Sequence, residues 1–238
     1  MTCFLTSSPC IVGASRLNPE NGFVEALKQA LPQRLRGLFI CSSPDTPELT
    51  DRFSLDMRES FEASGFLFDS YLVLDPRTQE RAAQLIAHAD LIILAGGHVP
   101  TQNSYFARIG LRALLAGFEG VIMGISAGTM NSADVVYAHP ELEGETAPDF
   151  QRFLPGLGLT KTMILPHYQM IRHDVLDGLR LFEDVAYPDS VGRRFYALTD
   201  GSYLLIDRGA ETLCGEAYLI ENGGIRQISC AGDKLLLT

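Results

Sequence analysis

Residues 121–128, Val-Ile-Met-Gly-Ile-Ser-Ala-Gly, join an apolar run to a turn of small residues around Ser126. The run 121–123 is typical of a buried strand, and residues 129–134 could start a helix. A serine between small residues at a strand end is typical of a nucleophile elbow, in which glycines allow a sharp turn that exposes the hydroxyl. An ordinary strand-to-helix turn is the alternative, because a bare G-x-S-x-G pattern is common by chance.

Apolar runs alternate with amphipathic stretches along the rest of the chain. Strands are predicted at residues 3–6, 37–41, 66–74, 91–94, 121–123 and 162–165. Helices are predicted at residues 23–31, 49–64, 81–88, 105–116 and 174–186. This alternation favours a parallel sheet covered by helices on both faces.

The C-terminal part has a different pattern, with short apolar runs separated by turn signals. The runs are residues 195–198, 203–206, 217–220 and 225–228, and the turn signals include Asp200-Gly201 and Asn222-Gly223-Gly224. Such turns are typical of antiparallel hairpins. We therefore expect an α/β fold: a doubly wound, mostly parallel, flavodoxin-like sheet with antiparallel strands added late, in a single domain over residues 1–238.

Composition and charge limit the class of protein. Hydrophobic residues make up 46% of the 238 residues and charged residues 20%, as in globular proteins. The net charge of −10, without a basic cluster, opposes nucleic-acid binding. No apolar run approaches the roughly 18 residues of a membrane span, and no signal peptide is evident. The cysteines are odd in number and scattered, which predicts reduced thiols in a cytoplasmic protein: Cys3, Cys10, Cys41, Cys214 and Cys230.

A serine nucleophile needs a base, and the base needs an acid that orients it. His167 follows the predicted strand 162–165, so its imidazole is expected at the same sheet edge as Ser126. A hydrogen-bonded structural histidine is the alternative. His98, at another strand end, is the competing base. The remaining histidines are expected to be solvated: His88, His139 and His173.

The segment His139-Pro140-Glu141-Leu142-Glu143-Gly144-Glu145 supplies carboxylates between the serine and the histidine. In an extended segment its three glutamates share one face, so one could orient His167 while the others stay solvated. No second ligand cluster supports a metal at His139, and neither a metal nor another cofactor is expected.

A second glycine-rich strand end, Leu94-Ala95-Gly96-Gly97-His98, permits close backbone approach. The N–H of Gly97 could therefore join that of Ala127 in stabilising an oxyanion. A simple tight turn is the alternative.

The elbow at Ser126, the Gly96-Gly97 strand end and Pro166-His167-Tyr168 together resemble the serine peptidases of the dipeptidase E and cyanophycinase type. That family is similar to the class I glutamine amidotransferases, with serine in place of the elbow cysteine. The resemblance implies a triad in the chain order serine, acid, histidine, with Ser126 as nucleophile and His167 as base. Glu141 stands at the acid position, and a shifted loop would put Glu143 or Glu145 there instead. Gly97 and Ala127 would form the oxyanion hole.

The resemblance implies a peptidase that acts on small peptides, with an acidic residue beside the scissile bond as one option. Dipeptidase E is associated with an N-terminal aspartate and cyanophycinase with a β-linked Asp–Arg polymer. Arg172, Arg193 or Arg194 could bind a carboxylate, or all three could be surface residues. The rival interpretation is a non-catalytic small-ligand binding or regulatory protein. A glutamine amidotransferase is disfavoured because the elbow lacks cysteine. The sequence leaves the oligomeric state open, a homodimer included.

Overall fold

The computed structural model describes residues 1–237. Its strands, in chain order, are β1 Thr2–Thr6, β2 Arg34–Ile40, β3 Leu67–Leu74, β4 Leu91–Leu94, β5 Val121–Ile125, β6 Val135–Tyr137, β7 Phe153–Pro155, β8 Met163–Leu165, β9 Val175–Leu176, β10 Leu179–Arg180, β11 Arg194–Leu198, β12 Tyr203–Asp207, β13 Ala210–Cys214, β14 Ala217–Glu221, β15 Gly224–Ser229 and β16 Lys234–Leu236. The helices are α1 Phe23–Ala30, α2 Pro47–Ala63, α3 Ala82–His88, α4 Val99–Arg108, α5 Leu111–Leu115, α6 Ala127–Asn131, α7 Tyr168–Ile171 and α8 Tyr187–Asp189. Within residues 1–237, no helix combines the length and apolar character that a membrane crossing requires.

The central sheet has eight strands in the order β16-β13-β12-β1-β5-β4-β2-β3. The five from β1 to β3 run parallel, whereas β12, β13 and β16 extend the sheet antiparallel beyond β1. Successive strand residues face opposite sides: Leu38 and Ile40 pack with α3, α4 and α5, and Phe39 packs with α1 and α2. The predicted doubly wound sheet with late antiparallel strands is confirmed.

A second, four-stranded sheet has the order β15-β14-β11-β8. The prediction that residues 162–165 belong to the parallel sheet is wrong, because β8 pairs in parallel with β11 (Met163 opposite Phe195). Both sides of β1 are already occupied, by β5 and by β12. The hairpin predicted at residues 222–224 is present, and it joins β14 to β15.

Two of the predicted helices are wrong in outline. Residues 105–116 are divided between α4 and α5, because Gly110 takes a positive φ of 64° and ends the helical run. Residues 174–186 begin with the β9–β10 hairpin, followed by a π-helical turn at Leu181–Ala186. The Asp177-Gly178 turn, with φ of 52° and 81°, favours a two-residue hairpin over a helix.

The carboxyl ends of the parallel strands meet at one edge of the central sheet. Ser7 follows β1, Ser42 lies just beyond β2, Gly96-Gly97 follow β4 and Ser126 follows β5. Ligands of open α/β sheets bind outside this edge. The fold therefore positions the polar residues described next.

Candidate active site

Ser126 occupies a sharp turn between β5 and α6. Its backbone angles, φ 49° and ψ −109°, are unusual for a residue other than glycine and cost about 1–3 kcal/mol. The turn is held by the carbonyl of Thr6, which accepts hydrogen bonds from the N–H of Ser126 (3.2 Å) and from Oγ1 of Thr129 (2.7 Å). The strand–turn–helix geometry predicted at Ser126 is therefore present.

The two glycines of this turn are required by close packing. A Cβ at Gly124 would lie 2.9 Å from backbone atoms of Thr129. A Cβ at Gly128 would lie 2.3 Å from the carbonyl oxygen of Leu94. Because backbone atoms cannot move aside as a flexible side chain can, only glycine fits at either position.

His167 approaches Ser126 from the second sheet, without a hydrogen bond between the two side chains. It follows β8 with φ 60° and ψ 26°, and its N–H donates to Oγ of Ser7 (2.8 Å). Ser126 and His167 line the same two cavities. The structure thus brings the predicted serine and histidine together, although they come from different sheets.

The imidazole of His167 is paired with Asp200, between β11 and β12. Nδ1 of His167 lies 2.7 Å from Oδ1 of Asp200, which also accepts from Oγ of Ser7 (2.7 Å). Oε1 of Gln169 accepts from the N–H of Asp200 (3.1 Å). Burial raises the pKa of Asp200, but the hydrogen bonds from His167 and Ser7 outweigh it and hold that pKa below its usual value. An ionised carboxylate at Nδ1 leaves Nε2 as a proton acceptor.

The predicted pairing of Glu141, Glu143 or Glu145 with His167 is absent from the structure. Glu141 lines a cavity with Ser126 and His167. The residue as a whole is exposed, yet burial of its carboxyl group raises the pKa of Glu141 to about 7. Glu145 instead binds Nε2 of His98 (2.7 Å), and Glu143 is exposed. Asp200, rather than one of these glutamates, contacts the imidazole, because the chain passes His167 as it crosses from the second sheet to the central one.

Sequence reasoning missed both Asp200 and Ser7. The sequence predicts Asp200-Gly201 as a turn, and Ser7 only follows the predicted strand 3–6. The signal that identifies both is their position: each is a polar residue just beyond a strand, where the other site residues also lie.

The Gly96-Gly97 loop lies against the elbow. A Cβ at Gly96 would be 3.5 Å from Cβ of Ser126. Oγ of Ser42 donates to the Gly96 carbonyl (2.5 Å), which points the N–H of Gly97 the opposite way. That N–H has no acceptor within residues 1–237. Ala127 is the first residue of α6, so its N–H has no intrahelical acceptor either. Both predicted oxyanion donors are thus available beside Ser126.

Two other histidines considered in the sequence, His98 and His139, are engaged by neighbouring side chains. His98, the competing base, is bound by Glu145 and by Oγ1 of Thr101 (2.8 Å). The prediction that His139 is solvated is wrong: it is 4% exposed and packs against the rings of Tyr137 and Phe182. Burial lowers the pKa of His139 to about 4. Throughout the described chain, no three histidine, cysteine or acidic side chains are grouped as a metal site.

Two cavities meet at Ser126 and His167. One, of about 410 Å³, is lined by His139, Glu141 and Asp174 together with apolar residues of the 165–181 region, and we call it the acidic cavity. The other, of about 670 Å³, is lined mainly by apolar side chains including Phe39, Phe53, Met57 and Ile125, and we call it the apolar cavity.

None of the arginines predicted as carboxylate ligands lines either cavity. Arg193 stacks on the ring of Phe153, 4.3 Å from its centroid. Arg194 pairs with Glu221 (3.3 Å), and Arg172 is exposed in the segment after α7. The surface interpretation therefore applies to all three.

A strained serine at a strand end, beside a histidine that is bound to a carboxylate, defines a serine hydrolase site on an α/β fold. The sequence profile of peptidase family S51 matches residues 6–213. The chain belongs to peptidase family S51, and it is a peptide hydrolase of the serine type. No curated protein sequence matches the chain.

Solved structures share the fold. A peptidase from an acI-B1 Actinobacterium aligns with a TM-score of 0.71 and 14% identity, covering 99% of this chain and 96% of that one. A putative peptidase E protein from Listeria monocytogenes EGD-e aligns with a TM-score of 0.55 and 16% identity, covering 96% of this chain and 98% of that one. At these identities the likeness concerns the fold alone.

Proposed function

We propose that the protein hydrolyses small peptides through an acyl-enzyme, with Ser126 as nucleophile, His167 as general base and Asp200 as the acid that orients the imidazole. The proposal is carried by the 2.7 Å contact between His167 and Asp200, next to the strained Ser126. A carboxylate in this position fixes the imidazole tautomer and stabilises the imidazolium formed during reaction.

The chemistry follows from the groups around Ser126. Its Oγ attacks the scissile carbonyl carbon while Nε2 of His167 takes the hydroxyl proton. The resulting oxyanion receives the N–H groups of Gly97 and Ala127, each contributing roughly 3–4 kcal/mol to transition-state stabilisation. The C–N bond then breaks, and His167 returns the proton to the leaving amine. Water, deprotonated by the same imidazole, then attacks the ester carbon; the C–Oγ bond breaks, His167 returns the proton to Oγ of Ser126, and the acyl group leaves as a carboxylic acid.

Two measurements test this mechanism. A fluorophosphonate probe is expected to phosphonylate Oγ of Ser126 with release of fluoride, as detected by mass spectrometry of the tryptic peptide. Ser126→Ala should abolish both labelling and peptide hydrolysis while leaving the thermal melt nearly unchanged. A protein that binds peptides but remains unlabelled between pH 6 and 9 would instead be the non-catalytic binder.

The state of the cysteines bears on both the nucleophile and the cellular location of the protein. All five are free thiols. Burial raises the pKa of Cys3 and of Cys41 to about 12, so both remain protonated and unreactive near neutral pH. Free thiols persist in reducing compartments, which is why we assign the peptidase to the cytoplasm.

A further inference from the structure

The acidic cavity beside Ser126 contains acceptor groups without matching donors. Its ionisable side chains, apart from His167, are His139, Glu141 and Asp174. Within residues 1–237, neither this cavity nor the apolar cavity is lined by a lysine or an arginine. An acidic substrate side chain would therefore meet carboxylates and no cation, and binding it would be unfavourable.

His139 offers a buried acceptor. Its ring hydrogen-bonds the backbone of Leu181, and its Nε2 atom has no partner in the part of the chain that the structure describes. The low pKa of His139, caused by burial, keeps the imidazole neutral at pH 7. A neutral ring that donates through Nδ1 presents a bare lone pair at Nε2. An unpartnered buried acceptor of this kind requires a donor, and an N–H of a ligand in the cavity is one group that could supply it after a small shift of the ring.

The two carboxylates are also unengaged. The side chains of Glu141 and Asp174 accept no hydrogen bond from residues 1–237. Glu141 is positioned by Glu145, whose carboxylate accepts the N–H groups of Glu141 (2.8 Å) and Leu142 (3.0 Å). The cavity thus presents two carboxyl groups without a donor, and that of Glu141, with a pKa raised by burial to about 7, ionises further when a cation binds beside it.

The charged groups around the cavity are occupied elsewhere. His98 is held by Glu145, and Arg180 pairs with Asp184 (2.6 Å). Asp177 accepts from the N–H of Gly144 and from Thr146 (2.9 and 2.7 Å). Burial raises the pKa of Glu141; among the charged groups near the cavity only His98 and His167 act to lower it, and neither forms a hydrogen bond with Glu141 within residues 1–237.

We propose that the acidic cavity binds a cationic group of the substrate, an ammonium or a guanidinium next to the scissile bond. The inference rests on the proposed function, because Ser126 and His167 form the adjoining wall. The cation has two possible sources, the α-ammonium of an N-terminal residue or the side chain of lysine or arginine.

Binding to the Ser126→Ala protein tests the inference without turnover. Titration calorimetry would compare Lys-Ala, norleucyl-alanine and Asp-Ala, each with a free and an acetylated amino terminus. If the side chain supplies the cation, Lys-Ala binds roughly tenfold more tightly than norleucyl-alanine. If the α-ammonium supplies it, acetylation weakens binding by a similar factor and the two side chains bind equally. Either result supports the proposal, and tighter binding of Asp-Ala overturns it.

Substitutions in the cavity provide the matched comparison. Glu141→Gln and Asp174→Asn, each introduced into the Ser126→Ala protein, should weaken the cationic dipeptide roughly tenfold. Glu143→Gln is the control, because Glu143 lies on the same loop, is exposed and lines neither cavity. Unchanged affinity in both cavity variants overturns the inference.

Phosphonylation of the wild-type protein tests the catalytic mechanism separately from the cation site. A labelled Ser126 without cation preference refutes only the substrate class. An unlabelled Ser126 with intact cation binding refutes the peptidase mechanism and retains the cation site.

Discussion

Asp200→Asn is the substitution that tests the catalytic arrangement most directly. It exchanges one carboxylate oxygen for an amide NH2 group at a side chain that is 16% exposed, so the change occurs in a largely buried setting. In wild type, Oδ1 accepts from both His167 and Ser7 at 2.7 Å, and the ionised form is favoured. The variant loses the negative charge that stabilises the imidazolium. If the NH2 group faces His167, Nδ1 becomes the acceptor and Nε2 can no longer take a proton.

The expected loss can be bounded from this geometry. The equivalent change in the Ser-His-Asp template lowers kcat about 10⁴-fold through the wrong tautomer. An amide oxygen at the Oδ1 position could still accept from His167 and Ser7, which would retain the tautomer and reduce the loss. We therefore expect a decrease in kcat of about 10²- to 10⁴-fold, or about 3–5 kcal/mol in the barrier.

The assay is steady-state hydrolysis of a fluorogenic dipeptide, together with the second-order rate constant for fluorophosphonate labelling. Glu141→Gln is the matched comparison, since Glu141 borders the same pocket without bonding His167. It should raise KM for cationic substrates and leave kcat largely intact. Should Asp200→Asn stay within threefold of wild type while Glu141→Gln loses two orders of magnitude in kcat, Glu141 would be the acid and our assignment would fail.

Three other substitutions probe the surroundings of the site. His139→Gln should make the free energy of unfolding less dependent on pH below 7. The pKa of His139 falls from 6.5 to about 4 on folding, so the wild-type protein loses about 3 kcal/mol of stability between pH 7 and 4. The variant, which has no imidazole at this position, should not show that loss. Parallel urea-unfolding curves at the two pH values would contradict this. Gly128→Ala places a Cβ 2.3 Å from a carbonyl oxygen and should lower the free energy of unfolding by about 1–3 kcal/mol or more. Gly117→Ala is the control, because a Cβ there has open space and should leave stability unchanged. Equal melting temperatures of the two variants would refute the packing argument. Ser42→Ala removes the hydrogen bond that holds the Gly96–Gly97 peptide and orients the Gly97 N–H. We expect kcat to fall about tenfold with little change in Tm. An unchanged kcat would show that the Ser42 hydroxyl does not position this donor.

The sequence predicted the parts of the site that depend on local pattern. The small residues around Ser126 and the apolar run before it indicate the elbow without knowledge of distant contacts. His167 was identified by its position at a strand end, yet its strand belongs to the second sheet. His167 lines the same cavities as Ser126, but the predicted structural reason was wrong, because the pairing partners of short apolar runs are set by tertiary contacts.

The carboxylate that contacts His167 could not be predicted from the sequence, because its approach to the imidazole is non-local. Asp200 reaches the imidazole only when the chain leaves β11 in one sheet and enters β12 in the other. The nearby glutamates satisfied the expected chain order and were therefore preferred. The burial of His139 was missed for a related reason, since the aromatic rings that cover it come from β6 and from the turn after β10.

The position of β1 in the middle of the central sheet has a consequence for biosynthesis. Ser7, which follows β1, bridges His167 and Asp200, which come much later in the chain, and the pairing of β1 with β12 brings Asp200 into place. The contact between His167 and Asp200 therefore forms only once β12 has been synthesised and has joined β1. A ribosome-bound fragment that ends before residue 200 can form the parallel strands, but it lacks the carboxylate that contacts His167.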